Sequence, residues 1–357
     1  MKIVHVNPFF YPYRGGIEHR MHHICKILAE DHDVSIVTAQ LPGTERREEM
    51  DGYEVIRLPS TFIGSYNPQY VISARILETL EALSPDVVEF HYRWAPSYTR
   101  ELMRYQGPKV FTWHNTYGEG AGLSQQIPSH VNDFFFLPKL KGFQSVTCVS
   151  DFVMRDLVAR GADPEQLVSI PNSHQLLFPE EVPEEDDGFL LYVGRLVRTK
   201  GLDYLLRAMV DIDRELIICG KGPEMERLIS LSKKLGVDDR VEFPGYVSDE
   251  RRGELLSSCG AYVMPSIYES FGLAAAEAMV HGKAVIYGDV GGLPEVVRDA
   301  GIPVPPQSSA ALVEAIEGLF QDDERRREMG RKGRKYAKEY SWEKAAEMTL
   351  EQYRSLI

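Results

Sequence analysis

The sequence predicts two doubly wound α/β domains facing a crevice. Three observations lead there. The chain has 357 residues, more than one ordinary domain holds, so two domains are expected. Short apolar runs alternate with helix-period segments along most of it, which is the pattern of parallel strands joined by crossover helices. Residues 179–188, P-E-E-V-P-E-E-D-D-G, then read as an acidic, proline-containing linker between two such runs.

In the first run, Lys2 to Val6 reads as a core strand and Asn7 to Arg14 as an aromatic, proline-rich loop. Gly15-Gly16 leads into a helix over about 17–30. Strands are expected at 34–38 and 53–58, and a helix over 72–83. Further strands follow at 87–90, ending at His91, and at 110–113, ending at His114-Asn115. A strand at 143–149, a helix at 151–160 and a strand at 167–170 complete this half. The second run has strands at 189–193, 215–219 and 241–243, alternating with helices at 202–209, 225–235 and 250–257. A strand–loop–helix–strand unit then runs from Ala261 to Gly292. Its strand is 261–264 and its helix about 272–280, stopped by Gly282. Its second strand is 284–287. Helices over 310–320, 323–340 and 342–357 finish the chain. The expected domains are therefore 1–178, the linker 179–188, 189–340, and a terminal helix at 341–357.

Parallel sheets take ligands at the carboxyl ends of their strands. The loops expected there are Gly15-Gly16, His91 and His114 in the first half. The second half contributes Gly194 to Gly201, Gly220 to Pro223, Gly245 to Val247, Glu269 to Glu277, and Gly291-Gly292.

The most informative of these is Glu269 to Glu277. The amides of Phe271, Gly272 and Leu273 are the unpaired donors of a helix start, which favour a phosphate. Gly272 removes a side chain where a ligand must come close. Carboxylates would repel that anion, so Glu269 and Glu277 are expected to face hydroxyls. Phosphate and hydroxyls together suggest a sugar nucleotide. The plainer alternative is two exposed acids at a helix start, where acids are favoured anyway. The loop G-R-L-V-R-T-K-G, 194–201, offers Arg195 as a planar fork and Lys200 as a point charge, a pair suited to a diphosphate; a solvated basic loop is the alternative. His114 is either a hydrogen-bonding group for a sugar hydroxyl or a packed histidine. Glu18, His19, His22 and His23 have helical metal spacing but no supporting motif, and read as surface histidines. Asp31-His32-Asp33 and Asp211-Ile212-Asp213 precede strands and read as turns. Gly220-Lys221-Gly222 lacks the third glycine of a dinucleotide fingerprint. Residues 134–141, F-F-F-L-P-K-L-K, are a candidate for touching a membrane surface or lipid acceptor, against a helix packed in the first domain.

Net charge is −13, which argues against bulk nucleic-acid binding. The four cysteines, Cys25, Cys148, Cys219 and Cys259, form no C-x-x-C pair and sit in apolar segments, so reduced thiols and a cytoplasmic setting are expected. No apolar run is long enough to span a membrane.

Together these motifs resemble the retaining, group 1 glycosyltransferases of family 4, whose fold is GT-B: two Rossmann-like domains. The match covers nearly the whole chain. The family's E-x7-E element corresponds to Glu269 and Glu277, its R…K pair to Arg195 and Lys200, and its N-terminal glycine loop to Gly15-Gly16. Its strand-end histidine corresponds to His114, and its G-G-x-P-E segment to Gly291 through Glu295. The S-W-E-K ending resembles the family's last helix, which crosses back onto the first domain. The resemblance implies that Glu277 binds the ribose and Glu269 the donor-sugar hydroxyls. Arg195 and Lys200 would hold the diphosphate with the amides of Gly16 and of Phe271 to Leu273. His114 would lie near the C6 hydroxyl, its carbonyl aiding an oxocarbenium. Tyr246 and Val247 would lie near the base. The family often has H-D or H-G where this chain has His114-Asn115, which puts any role of the second residue in doubt.

The expected reaction is metal-independent hexosyl transfer with retention, from a nucleotide-diphosphate sugar to a sugar or lipid-linked acceptor, with no resident cofactor. The leaving diphosphate would take the acceptor proton. Nearest alternatives are an epimerase or phosphorylase on the same fold, a non-catalytic sugar-nucleotide binder, and an NAD-dependent enzyme. Nucleotide base, sugar, acceptor and oligomeric state are not legible.

Overall fold

The computed structural model describes residues 1–13, 15–64, 70–115, 131–174, 179, 182–183 and 186–357. Arg14 of the first loop and the glutamates 180, 181, 184 and 185 of the acidic linker lie outside them. The chain divides into two compact units. The first includes Met1–Tyr117, Ile127–Asn172 and Trp342–Ile357, and the second includes Ser173–Ser341.

The first unit is built on an eight-stranded sheet in the order β10-β9-β8-β7-β1-β2-β4-β3. Its strands are β1 (Lys2–Val6), β2 (Asp33–Ala39), β3 (Arg47–Met50), β4 (Tyr53–Leu58), β7 (Val87–Phe90), β8 (Lys109–Trp113), β9 (Ser145–Cys148) and β10 (Leu167–Ser169). All pairings but β3–β4 are parallel. The central strands are covered on both faces, which is why they read as near-continuous apolar runs. One face packs Val4, Val6, Phe90 and Phe111. The other packs Ile3, Ile36 and Val110 with Met21 and Ile24 of the Gly16–Leu28 helix. The terminal helix, Trp342–Arg354, lies on that second face through Trp342, Ala346 and Tyr353. The second unit has a six-stranded, all-parallel sheet in the order β13-β12-β11-β14-β15-β16. These are β11 (Leu190–Val193), β12 (Leu216–Cys219), β13 (Val241–Gly245), β14 (Ala261–Met264), β15 (Val285–Gly288) and β16 (Gly301–Val304).

The helix expected over 72–83 is shorter, Ile76–Leu83. Tyr70–Ser73 (β6) instead pairs antiparallel with Ser60–Ile63 (β5). Arg75, at φ 64, breaks the chain between strand and helix. A short run such as Y-V-I-S carries no periodicity that separates the two states. The sequence reading also omits β3, β16 and the helices Pro96–Arg104 and Leu293–Val297. Both strands lie at sheet edges and Leu293–Val297 is little more than one turn, so these bury too little to leave a pattern; Pro96–Arg104 buries Tyr98, Thr99 and Leu102 on one face, a helical spacing the sequence does carry. The end of the supposed linker is anchored: Asp187 donates its amide to Ser258 O at 2.8 Å.

In each sheet the chain starts in the middle, works to one edge, then returns to build the other side. The switch point lies between β1 and β7 in the first unit, and between β11 and β14 in the second. Loops leaving the carboxyl ends of those strands therefore diverge and leave space for a ligand.

Candidate active site

In the second unit the switch point places the loop after β11 beside the loop after β14. Backbone contacts fix them together. Ile267 donates its amide to Thr199 O at 2.8 Å. Gly201, at φ 65, lies so close that a Cβ there would sit 2.1 Å from Pro265 O. Leu196 is fully buried and anchors the basic loop, and Tyr192 donates its hydroxyl to Arg195 O at 3.1 Å.

The result is that Lys200 Nζ donates to Glu269 Oε2 at 2.5 Å. Both side chains are mostly shielded from water, at 18% and 14% exposure. Arg195, on the same loop, is exposed. The Glu269 loop is held from behind by Gly291-Gly292. A Cβ on Gly291 would lie 1.8 Å from Glu269 O, and Gly292 donates its amide to that same oxygen at 3.1 Å. The paired glycines thus have a steric reason: the backbones meet where no side chain fits.

Gly272, at φ 108, is the N-cap of the Leu273–Val280 helix. No side chain caps this helix and its first turn holds no acid, which leaves the helix start suited to an anion. Phe271 is buried with its ring edge-on to Tyr340. Glu277 is not an exposed acid. It is 5% exposed in mid-helix, with Arg252 Nε 3.7 Å from Oε2. Tyr246 follows β13 and is 66% exposed, beside half-buried Val247.

In the first unit, Gly15 caps the Gly16–Leu28 helix in extended conformation. The sequence reading missed what turns back over that end. Glu18 is buried, its Oε1 accepts from Asn7 Nδ2 at 3.1 Å, and its Oε2 would lie 2.5 Å from a Cβ on Gly15. Burial pushes its carboxyl up to about 7, against its own backbone amide and Asn7. His22 and His23 are not free surface groups. His22 Nδ1 lies 2.7 Å from the Tyr53 hydroxyl, and His23 stacks on Trp342.

His114 is the last member of a buried chain of polar groups that the sequence did not reveal. Glu89, His5 and His91 are at most 3% exposed. Tyr353 and Thr112 both donate hydroxyls to Glu89. Burial raises Glu89, but His91, His5 and the two hydroxyls outweigh it and hold the carboxyl down at about 2. Burial drives His91 down to about 3 despite Glu89, and lowers His5 and His114 as well, so the rings are neutral. Because Tyr353 spends its proton on Glu89, its oxygen accepts from His5 Nε2 at 3.4 Å. His5 Nδ1 then accepts from His91 Nε2 at 2.9 Å, and His91 Nδ1 from His114 Nε2 at 3.2 Å. This tautomer assignment satisfies every group and leaves His114 Nδ1 with a lone pair, an acceptor for a hydroxyl. Ligand atoms of His5, Glu89 and His91 lie within 4.8 Å of one another, the spacing of a cation site. The network already engages all three side chains. Phe134 and Phe135 are 72% and 63% exposed, whereas Phe136 and Leu140 are buried, so the 134–141 stretch is only half packed. Among the described residues no helix is long and apolar enough to cross a membrane. All four cysteines are buried and unbridged.

Residues 174–336 match the family of glycosyl transferases group 1, and residues 14–174 match glycosyltransferase family 4. An uncharacterized glycosyltransferase of Methanocaldococcus jannaschii is 34% identical, over 99% of this chain and 98% of its own. The alpha-maltose-1-phosphate synthase of Mycolicibacterium smegmatis is 28% identical over 94% of each. Among solved structures, sucrose-phosphate synthase from Thermosynechococcus elongatus superposes with a TM-score of 0.84 at 24% identity, covering 100% of this chain and 99% of that one. Anabaena HepE in complex with UDP-glucose does so with a TM-score of 0.79 at 18% identity, each chain covered in full. These last two are likenesses of fold.

Proposed function

The chain belongs to the group 1 glycosyltransferases of the family 4 type, with their GT-B fold, and from that premise we propose that it transfers a hexosyl group with retention. The donor is a nucleotide-diphosphate sugar and the acceptor a sugar or lipid-linked sugar. The observation that carries the reading is the Lys200–Glu269 pair at the switch point of the second sheet. It sets a cation for phosphate and a carboxylate for hydroxyls side by side, next to an uncapped helix start.

In this reading Arg195 and Lys200 balance the charge that grows on the leaving diphosphate, with the amides of Phe271 to Leu273 and of Gly16. Two fixed cations take the part a divalent ion plays elsewhere, so the transfer is proposed to be metal-independent. Glu269 holds donor-sugar hydroxyls and Glu277 the ribose, with Tyr246 and Val247 near the base. His114 accepts from a sugar hydroxyl through Nδ1. The departing diphosphate removes the acceptor proton as the new glycosidic bond forms on the face the nucleotide leaves. Exposed Phe134 and Phe135 suit an acceptor carried on lipid. HepE was solved with UDP-glucose, which makes UDP-glucose the first donor to try.

Thermal unfolding with UDP, GDP, ADP and CMP, with and without EDTA, tests this. A ligand at about a hundred times its Kd adds about 2.7 kcal/mol. One nucleotide diphosphate shifting Tm regardless of EDTA supports the donor class and the metal-free clamp. A shift that requires a divalent ion overturns the clamp. No shift with any of the four overturns the sugar-nucleotide reading.

A further inference from the structure

A second charged cavity lies at the opposite ends of the strands. It has a volume of about 330 Å³ and is lined by Lys283, Arg326, Arg327, Arg331 and Arg334, with Asp186 the only acid among the described residues that line it. Gly260 and Ala284 on its wall immediately precede β14 and β15. The cavity therefore sits at the amino ends of these strands, while Glu269 follows the carboxyl end of β14. One four-residue strand, about 13 Å, separates the two levels.

Two of the five cations have structural work. Arg326 donates to Asp186 Oδ2 at 2.8 Å, to Gly260 O at 3.0 Å and to Asp323 Oδ1 at 2.7 Å. Arg334 donates to Pro179 O. The side chains of Lys283, Arg327 and Arg331 make no hydrogen bond or ion pair among the described residues. Lys283 is only 5% exposed and lines the cavity, with Asp186 and Asp187 near enough to favour its charge but neither hydrogen-bonded to it. Burial still pushes its pKa down. The Leu273–Val280 helix ends here, but a helix C-terminus supplies only about half a negative charge. Arg326 is matched by Asp186 and Asp323, which leaves Lys283, Arg327 and Arg331 without an ion-pair partner among the described residues. Three such cations around one cavity suit an anionic ligand.

We propose that this cavity binds a small phosphorylated anion, through Lys283, Arg327 and Arg331, at a site separate from the donor loops. A phosphate monoester or diphosphate group matches the charge and the forked arginine donors. The volume holds a ligand of sugar-phosphate size. The Leu273–Val280 helix runs from the Glu269 loop to Gly282 and Lys283, so one element touches both places. Gly330 packs so tightly on Gly282 O that a Cβ would come within 1.9 Å, which fixes the turn carrying Lys283.

Calorimetric titration of inorganic diphosphate tests the site. The Arg195→Ala/Lys200→Ala protein, impaired at the donor loops, is expected to retain one binding event. Adding Arg327→Gln and Arg331→Gln, both exposed and tolerant of change, should weaken that event about tenfold or more. Lys283→Met in the same background should weaken it too, with circular dichroism confirming the fold. Loss of all binding in Arg195→Ala/Lys200→Ala overturns the proposal, as does full binding in the arginine double variant. Vesicles of phosphatidylcholine with phosphatidic acid separate the sources. Capture that depends on Arg327 and Arg331 supports the site with a lipid phosphate as its ligand, and diphosphate binding without capture supports it with a soluble one. The readout is binding, so it stands or falls independently of whether the protein turns over a sugar nucleotide.

Discussion

Lys200 and Glu269 stand 69 residues apart in sequence and 2.5 Å apart in the fold. Each limits what the other does. Paired, the carboxylate orients the ammonium, and the ammonium keeps the carboxylate from repelling a nearby diphosphate. Preorganised charge at a leaving group is worth about 3 kcal/mol or more in such sites. Lys200→Ala and Arg195→Ala are each expected to lower kcat by about two orders of magnitude. Glu269→Ala should also cost rate, and the Lys200→Ala/Glu269→Ala pair should lose less than the sum of the single losses, because the groups share one interaction. Initial rates on folded variants decide this, and wild-type turnover in Lys200→Ala would rule the assignment out.

Glu18 turns its carboxyl back over the Gly15–Gly16 helix start, where an anion would otherwise be held. Its folded pKa is raised to about 7. Below that pH the group is neutral and tolerates phosphate; above it, the carboxylate repels. The KM for the donor should therefore rise as pH passes about 7, and Glu18→Gln should flatten the profile. The stability sign follows from the same shift. The contribution is fully present below the unfolded value near 4.5 and is lost as pH rises through about 7, roughly 3 kcal/mol in all. Glu18→Gln should thus raise Tm at pH 8 relative to wild type. An unchanged Tm difference between pH 5 and pH 8 refutes this.

Gly291→Ala tests the steric argument for the paired glycines. Its Cβ would land 1.8 Å from Glu269 O, at φ 61. Gly236→Ala is the control: φ is 68 but nothing lies within 4 Å. The control should cost about 1 kcal/mol from backbone strain alone. Gly291→Ala should cost at least about 2 kcal/mol and also lower kcat, because Glu269 must move. Equal losses in chemical denaturation would mean the close approach is unimportant.

The sequence and the fold agree best where a signal is local and repeated. Apolar runs in Lys2–Val6 or Ala261–Met264 mark buried parallel strands, since burial on both faces leaves few polar positions. Arg195, Lys200, Glu269 and Glu277 stood out because loop cations and acids follow strand ends. Glu89, His5 and Tyr353 did not, because each sits singly in an apolar strand or helix. Only the β1–β7 pairing and the return of the last helix bring them together. Glu18 stood out only for its helical spacing to His19, His22 and His23, whereas its burial depends on Asn7 and the Gly15 backbone. The Lys283 cavity was hidden for the same reason, its cations being spread over two segments.

Tyr353 reaches from the terminal helix to Glu89, and Glu89 closes a chain of bonds that ends at His114. Tyr353 is therefore a positioning residue for His114 in this reading. Tyr353→Phe removes a donor to a buried carboxylate and should cost about 1–3 kcal/mol of stability. It also frees His5, and through it His91, to take the other tautomer, so the His114 Nδ1 lone pair is no longer assured. The expected result is a fall in kcat of several fold with little change in donor KM. A merely structural role would give the stability loss alone. The decisive variant is Tyr353→Phe in a His114→Ala background. There the stability loss should persist while the further effect on kcat vanishes. Acid should expose the same network. His91 has a folded pKa of about 3, so the stability it contributes is present above 6.5 and is lost as pH falls toward 3. Glu89, held at about 2, contributes stability present above its unfolded value near 4.5 and lost through about 2. Each buried histidine costs about 1.4 kcal/mol per pH unit across its window. Tm should therefore fall steadily from pH 6.5 downward in wild type and less steeply in His91→Asn. Parallel curves for the two proteins would show that the network does not govern the acid limb.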